Sequence, residues 1–227
     1  MIKEKEHEGI CFDQKIIGYS AVKTELERLA NILGSPEKYA KLGVTAPTGL
    51  LLYGVPGVGK TTMAESFMET TGRNCIVCRK NLPDGDFVKE IVGAFKTAEE
   101  QAPSVIFLDD LDKFANGDEC HRDSEEYVTV QACIDELHGK PVFVLATANN
   151  IDKLPDSLLC SGRFDKLIEV DVPDEAYSAG EYRNIIDWIA NSDEVPFPPG
   201  NDRRSILSAL PFEFCPENWF EYGNFWK

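Results

Sequence analysis

The stretch that most constrains this chain is Gly54-Val55-Pro56-Gly57-Val58-Gly59-Lys60-Thr61, two glycines bracketing four residues and followed by a lysine and a hydroxyl. That is the spacing of a phosphate-binding loop. Glycines let the backbone curl until successive N–H groups face inward, and a helix starting at the loop's end adds partial positive charge. A polyphosphate can then exchange water contacts for amides. The flanks meet the requirement: Gly49-Leu50-Leu51-Leu52-Tyr53 suits a short buried strand, and Thr62, Met63, Ala64, Phe67 and Met68 lead a helix closed by Gly72. Pro56, Gly57, Val58, Gly59, Lys60, Thr61 and Thr62 are the candidate cradle. Lys60 would neutralise the outer phosphates and the Thr61 hydroxyl would hold Mg²⁺.

The rest of the chain alternates strands with helices. Ser20 caps a helix carrying Val22, Leu26, Leu29, Ala30 and Leu33 on one face, and Ser35-Pro36 starts a second, short one to Leu42. Asn74 to Cys78 reads as a strand, Asn81 to Gly85 as a turn, and Asp86 as the cap of a helix turning Phe87, Ile91, Phe95 and Ala98 inward. Ser104 to Leu108 is an apolar run ending abruptly in Asp109-Asp110, which brings charge to the sheet's carboxyl edge, where ligands of open α/β sheets bind. Asp123 with Glu126 predicts a capping box for a helix bearing Tyr127, Val130, Ile134 and Leu137. Pro141 to Ala146 and Leu167 to Val170 complete five strands, which implies a parallel sheet covered on both faces. Beyond Pro173 one amphipathic helix (Tyr182, Ile185, Ile186, Ile189) precedes a proline break and an aromatic-rich end.

Composition narrows the partners. A formal charge of −16, from 39 acidic against 23 basic residues, disfavours nucleic acid and anionic lipid in the absence of a basic patch. No stretch approaches the roughly 18 apolar residues of a membrane span. The charged opening, Met1 to Glu8, reads as a solvated tail, and seven scattered cysteines without an export signal predict reduced thiols in the cytoplasm. Cys75 and Cys78, three apart in an extended segment, fall on opposite faces, and Cys120, His121, Cys133 and His138 match no familiar zinc spacing.

Four elements now stand in order: the phosphate loop, the Asp109-Asp110 strand end, Asn149 after a later strand, and Gly162-Arg163-Phe164-Asp165. In these the chain resembles the AAA branch of the AAA+ ATPases, from about Phe12 to Pro173. The resemblance implies a three-layer αβα sandwich on a five-stranded, mainly parallel sheet, the P-loop NTPase core. It divides the chain into a tail (1–11), an ATPase core (12–173) and an atypical extension (174–227) where the family has a helical lid. It also implies ATP and ADP as ligands with Mg²⁺, and roles for named residues. Asp109 would hold the metal opposite Thr61; Asp110 would polarise the attacking water; Asn149 would position that water; Ile17-Gly18 would line the adenine pocket. Arg163 would act as an arginine finger in a neighbouring subunit's site, so the chain is expected to self-associate in a ring such as a hexamer, and to act on a protein client.

Three departures temper the expected activity. Asp110 stands where the family usually has glutamate, one methylene longer, and a misplacement of about 1 Å can cost roughly a hundredfold in rate, so slow hydrolysis, or an ATP-binding switch with little turnover, is expected. Cys160 and Lys166 occupy positions where relatives carry further arginines. The segment Arg79 to Gly85 lacks the aromatic residue of polypeptide-threading relatives.

Overall fold

A computed structural model of the chain describes residues 16, 19–43, 46–80, 87–115 and 124–171. The tail, Ile17 and Gly18, the 81–85 turn, Asp86, Cys120, His121, Asp123 and everything after Asp171 lie outside the described residues. The chain divides into two units, one of residues 1–15 and 20–171 and the other of 16–19 and 172–227. All that follows concerns the first.

Its elements run α1 (Ser20–Gly34), α2 (Pro36–Ala40), β1 (Gly49–Tyr53), α3 (Lys60–Thr71), β2 (Asn74–Arg79), α4 (Phe87–Glu100), β3 (Ser104–Asp109), α5 (Glu125–Glu136), β4 (Val142–Ala148) and β5 (Lys166–Glu169). The strands form one sheet in the order β2-β3-β4-β1-β5, every pairing parallel. Helix α3 packs on β1, β3 and β4 and against α1, while α4 packs on β2 and β3 and against α5. This is the expected three-layer α/β sandwich.

Central strands β3 and β4 are buried along their whole length, as near-continuous apolar runs must be when helices cover both faces. Edge strand β2 is not: Val77 and Cys75 are exposed while Cys78 is buried among α4 and α5 residues, and burial pushes the Cys78 thiol up to about 12. On α4 the buried residues are Phe87, Ile91, Phe95 and Ala98, as the helical period requires. On the opposite face Phe67 of α3 meets Phe143 of β4 at 5.7 Å between ring centres. One cap differs from the sequence reading. The Ser124 hydroxyl, not Asp123, caps α5 by accepting from Tyr127 N. Among the described residues no helix is long and apolar enough to cross a membrane.

Candidate functional site

The loop after β1 is held at both ends. Gly54 N donates to Ala148 O at 3.2 Å, prolonging the strand, and a Cβ at Gly54 would lie 2.1 Å from Val170 O, so no larger residue fits. At the other end Gly59 is the N-cap of α3 with φ +87, a left-handed conformation that glycine adopts without steric cost. Pro56 and Gly57 are exposed between these anchors. Lys60 is buried, and its ammonium donates to Gly54 O and Val55 O, each at 2.7 Å. Burial lowers its pKa, against which the Asp110 and Asp112 carboxylates act. Thr61 and the exposed Thr62 follow in the first turn of α3.

Sheet register supplies the second half of the site. Arg79 of β2 stands directly opposite Asp109 of β3, and Leu108 opposite Ala146, so the next row brings Thr147 of β4 beside Asp109. Arg79, Asp109 and Thr147 thus form a line across the carboxyl edge, on the sheet face that α3 covers. Asp109 is almost fully buried, and its two oxygens are divided. Oδ1 accepts from Thr147 Oγ1 at 2.6 Å and from Thr61 Oγ1 at 3.2 Å, while Oδ2 takes the Arg79 guanidinium.

Immediately after β3 the backbone reverses. Asp110 has φ +55, a left-handed conformation costly for a residue with a Cβ, and its N–H is fixed by Thr147 Oγ1 at 2.9 Å. That turn aims the Asp110 carboxylate at Asn149, whose Nδ2 donates to Asp110 Oδ1 at 3.0 Å, while Lys113 holds Oδ2 at 2.7 Å. Buried Asp112 accepts from Asn149 N at 3.0 Å.

Lys60, Thr61, Asp109, Asp110 and Asn149 therefore converge on one edge. Arg163 does not join them. It precedes β5, and its carbonyl lies against Gly49 at the start of β1, so about four residue steps of strand, some 13 Å, separate it from the loop that follows Tyr53. Its neighbours explain the loop: Phe164 is buried, and Asp165 accepts from Thr48 N and Gly162 N. Arg163 itself forms a two-pronged pair with Asp135 of α5, both bonds 2.9 Å. Its hydrogen bond to Asp135 raises the Arg163 pKa and lowers that of Asp135. Lys166 pairs with Glu25 of α1 at 2.9 Å. Ile17 and Gly18 fall outside the described residues.

Arg79, Asp112, Lys113 and Thr147 are members of the cluster that sequence reasoning missed. The two-residue step from Thr147 to Asn149 is the available signal for one of them, since alternate strand positions share a face.

The cluster suits a metal-bound polyphosphate. The groups nearest its centre, the Thr61 hydroxyl and the Asp109 carboxylate, are oxygen donors suited to a hard cation such as Mg²⁺, and amides at a helix N-terminus suit phosphate oxygens.

Residues 50–172 match the family described as the ATPase family associated with various cellular activities (AAA). Among curated relatives, the ATP-dependent zinc metalloprotease FtsH of Syntrophus aciditrophicus is 35% identical over 187 residues, covering 76% of this chain and 25% of that protein. The proteasome-activating nucleotidase of Methanosarcina mazei is 36% identical over 179 residues, 72% of this chain and 42% of that protein. A match to the FtsH of Lancefieldella parvula, 32% identical over 220 residues, takes in 91% of this chain and 32% of its own. The chain thus spans between a quarter and under half the length of these relatives.

Proposed function

Because the chain belongs to the AAA family of ATPases, we propose that it binds ATP with Mg²⁺ at the carboxyl edge of its sheet and hydrolyses it slowly, as one subunit of a ring that remodels a protein partner. The observation that carries this reading is the convergence of Lys60, Thr61, Asp109, Asp110 and Asn149 on one edge. The residues from Pro56 to Thr62 surround the phosphates, the N–H groups from Gly57 onward serving as donors, and Lys60 exchanges its loop carbonyls for phosphate oxygens. Thr61 and Asp109 hold Mg²⁺, which when bound neutralises charge on the outer phosphates. Asp110 accepts a proton from the attacking water, and Asn149 fixes the orientation of that carboxylate. Arg163 serves the site of an adjacent subunit. The ATPase core ends near residue 173, a boundary supported by the end of the family match at 172.

A second reading, a nucleotide-controlled switch with negligible turnover, is favoured by one observation: both Asp110 oxygens are already engaged, by Asn149 and Lys113. Phosphate release measured against protein concentration separates the two. Specific activity that climbs as subunits associate supports the ring ATPase. Tight ATP binding with flat, negligible release supports the switch, and no nucleotide binding at millimolar concentration refutes both.

A further inference from the structure

The mechanism leaves Arg79 unused, although it is the cation closest to the carboxylate assigned to the metal. Their pairing is not an accident of two long side chains meeting at a surface. Strand register places Arg79 directly opposite Asp109, and the carboxylate is buried while half of the arginine side chain remains exposed. Two hydroxyls already occupy Asp109 Oδ1, so Oδ2 is where positive charge must come from, and a buried carboxylate without a cation is costly. Resting on the assignment of Asp109 to the metal side of the site, we infer that Arg79 and Mg²⁺ are alternative partners of the Asp109 carboxylate, so that Arg79 sets the magnesium concentration at which nucleotide binds.

The surroundings give the guanidinium a second place to go. Arg79 lines an open cleft of about 470 Å³ at the β2 edge, between α3 and α4, together with Glu65 and Glu90. Leaving Asp109, the guanidinium can move within that cleft toward either carboxylate without entering the apolar core. The exchange lowers the energy of Asp109 in the absence of metal and so weakens metal binding. By mass action, anything that destabilises the arginine-bound arrangement favours the magnesium-bound one.

The test is a magnesium titration of fluorescent-ADP affinity in wild type, Arg79→Gln and the double variant Glu65→Gln/Glu90→Gln. For Arg79→Gln the half-saturating magnesium concentration should fall about fivefold, the weight of one partly exposed ion pair, with affinity in EDTA unchanged. Removing the two glutamates should move it upwards, and that variant, which leaves Asp109 paired, carries the test if Arg79→Gln does not fold. Identical titrations for all three proteins overturn the inference, as does an Arg79→Gln affinity weakened by the same factor with and without magnesium, which would make Arg79 a phosphate ligand. Wild-type affinity indifferent to magnesium overturns the assignment of Asp109 itself.

Discussion

At the carboxyl edge of the sheet Asp109 and Lys60 are buried and each is held by several protein groups, whereas at the amino edge a partly exposed Arg163 pairs with a half-exposed Asp135 and donates to Ser157 O. The difference follows from what each edge must do. A carboxylate removed from water needs its partners fixed beforehand, and at the carboxyl edge three strand ends and a helix N-terminus supply them. At the amino edge the backbone is fixed, by Phe164 in the core and by Asp165 on Thr48 and Gly162, and the arginine side chain is oriented by the Asp135 carboxylate and the Ser157 carbonyl oxygen. On the proposed reading the first edge receives a ligand within the subunit and the second presents a cation beyond it.

The largest test of that contrast is Arg163→Ala. Loss of a finger that acts across a subunit boundary should lower turnover about a thousandfold while leaving ADP affinity nearly unchanged, read by phosphate release and fluorescent-ADP titration. Mixing it with Lys60→Ala should restore part of the activity, since the second variant still offers Arg163 to the intact loops of the first. No recovery, with full activity in Arg163→Ala alone, would leave the amino edge a purely structural joint. At the carboxyl edge Lys60→Ala should weaken ADP binding by a few hundredfold, the usual cost of truncating a buried charged partner. Asp110→Asn should come next: turnover about a hundredfold lower with ATP affinity retained. Undiminished turnover there would remove Asp110 from the proton-accepting role.

The same contrast separates the residues that are legible in the amino-acid sequence from those that are not. Residues acting within one element are legible: Gly54 to Thr61 between strand and helix, Asp109 at the end of an apolar run, and the inward face of Phe87, Ile91, Phe95 and Ala98. Arg79 and Thr147 are not, because they join the site through the neighbour order β2-β3-β4 and its register, and pairing order is a property of the assembled sheet. The bond from Asn149 N to Asp112 is hidden for a similar reason: it spans two loops brought together only when β3 and β4 pair. Arg163 stands out by its motif, yet its place at the opposite edge follows from β5 running parallel to β1. Ser124 displaces Asp123 as the cap of α5 because a helix start can shift by one residue among adjacent oxygen-bearing side chains.

The smallest effect belongs to the pair itself. Asp135 is half exposed and Arg163 less so, so solvent screens their attraction and Asp135→Asn should cost no more than about 1 kcal/mol of stability at pH 7. The sign of the pH dependence is fixed by the direction of the shift. Arg163 holds the Asp135 pKa below its ordinary 3.8 in the folded protein, so the pair's contribution is complete above that value and disappears as pH falls through the lower, folded one. Urea melts of wild type and variant should therefore differ slightly at pH 7 and converge as the pH is taken below the lowered pKa of the folded state. A gap that persists in acid would mean that Asp135 supports the amino edge by packing, and the carboxylate would then have no part in orienting Arg163. A gap that closes, together with a turnover loss in Asp135→Asn several times larger than its loss of stability predicts, would make Asp135 the residue that aims the arginine outward.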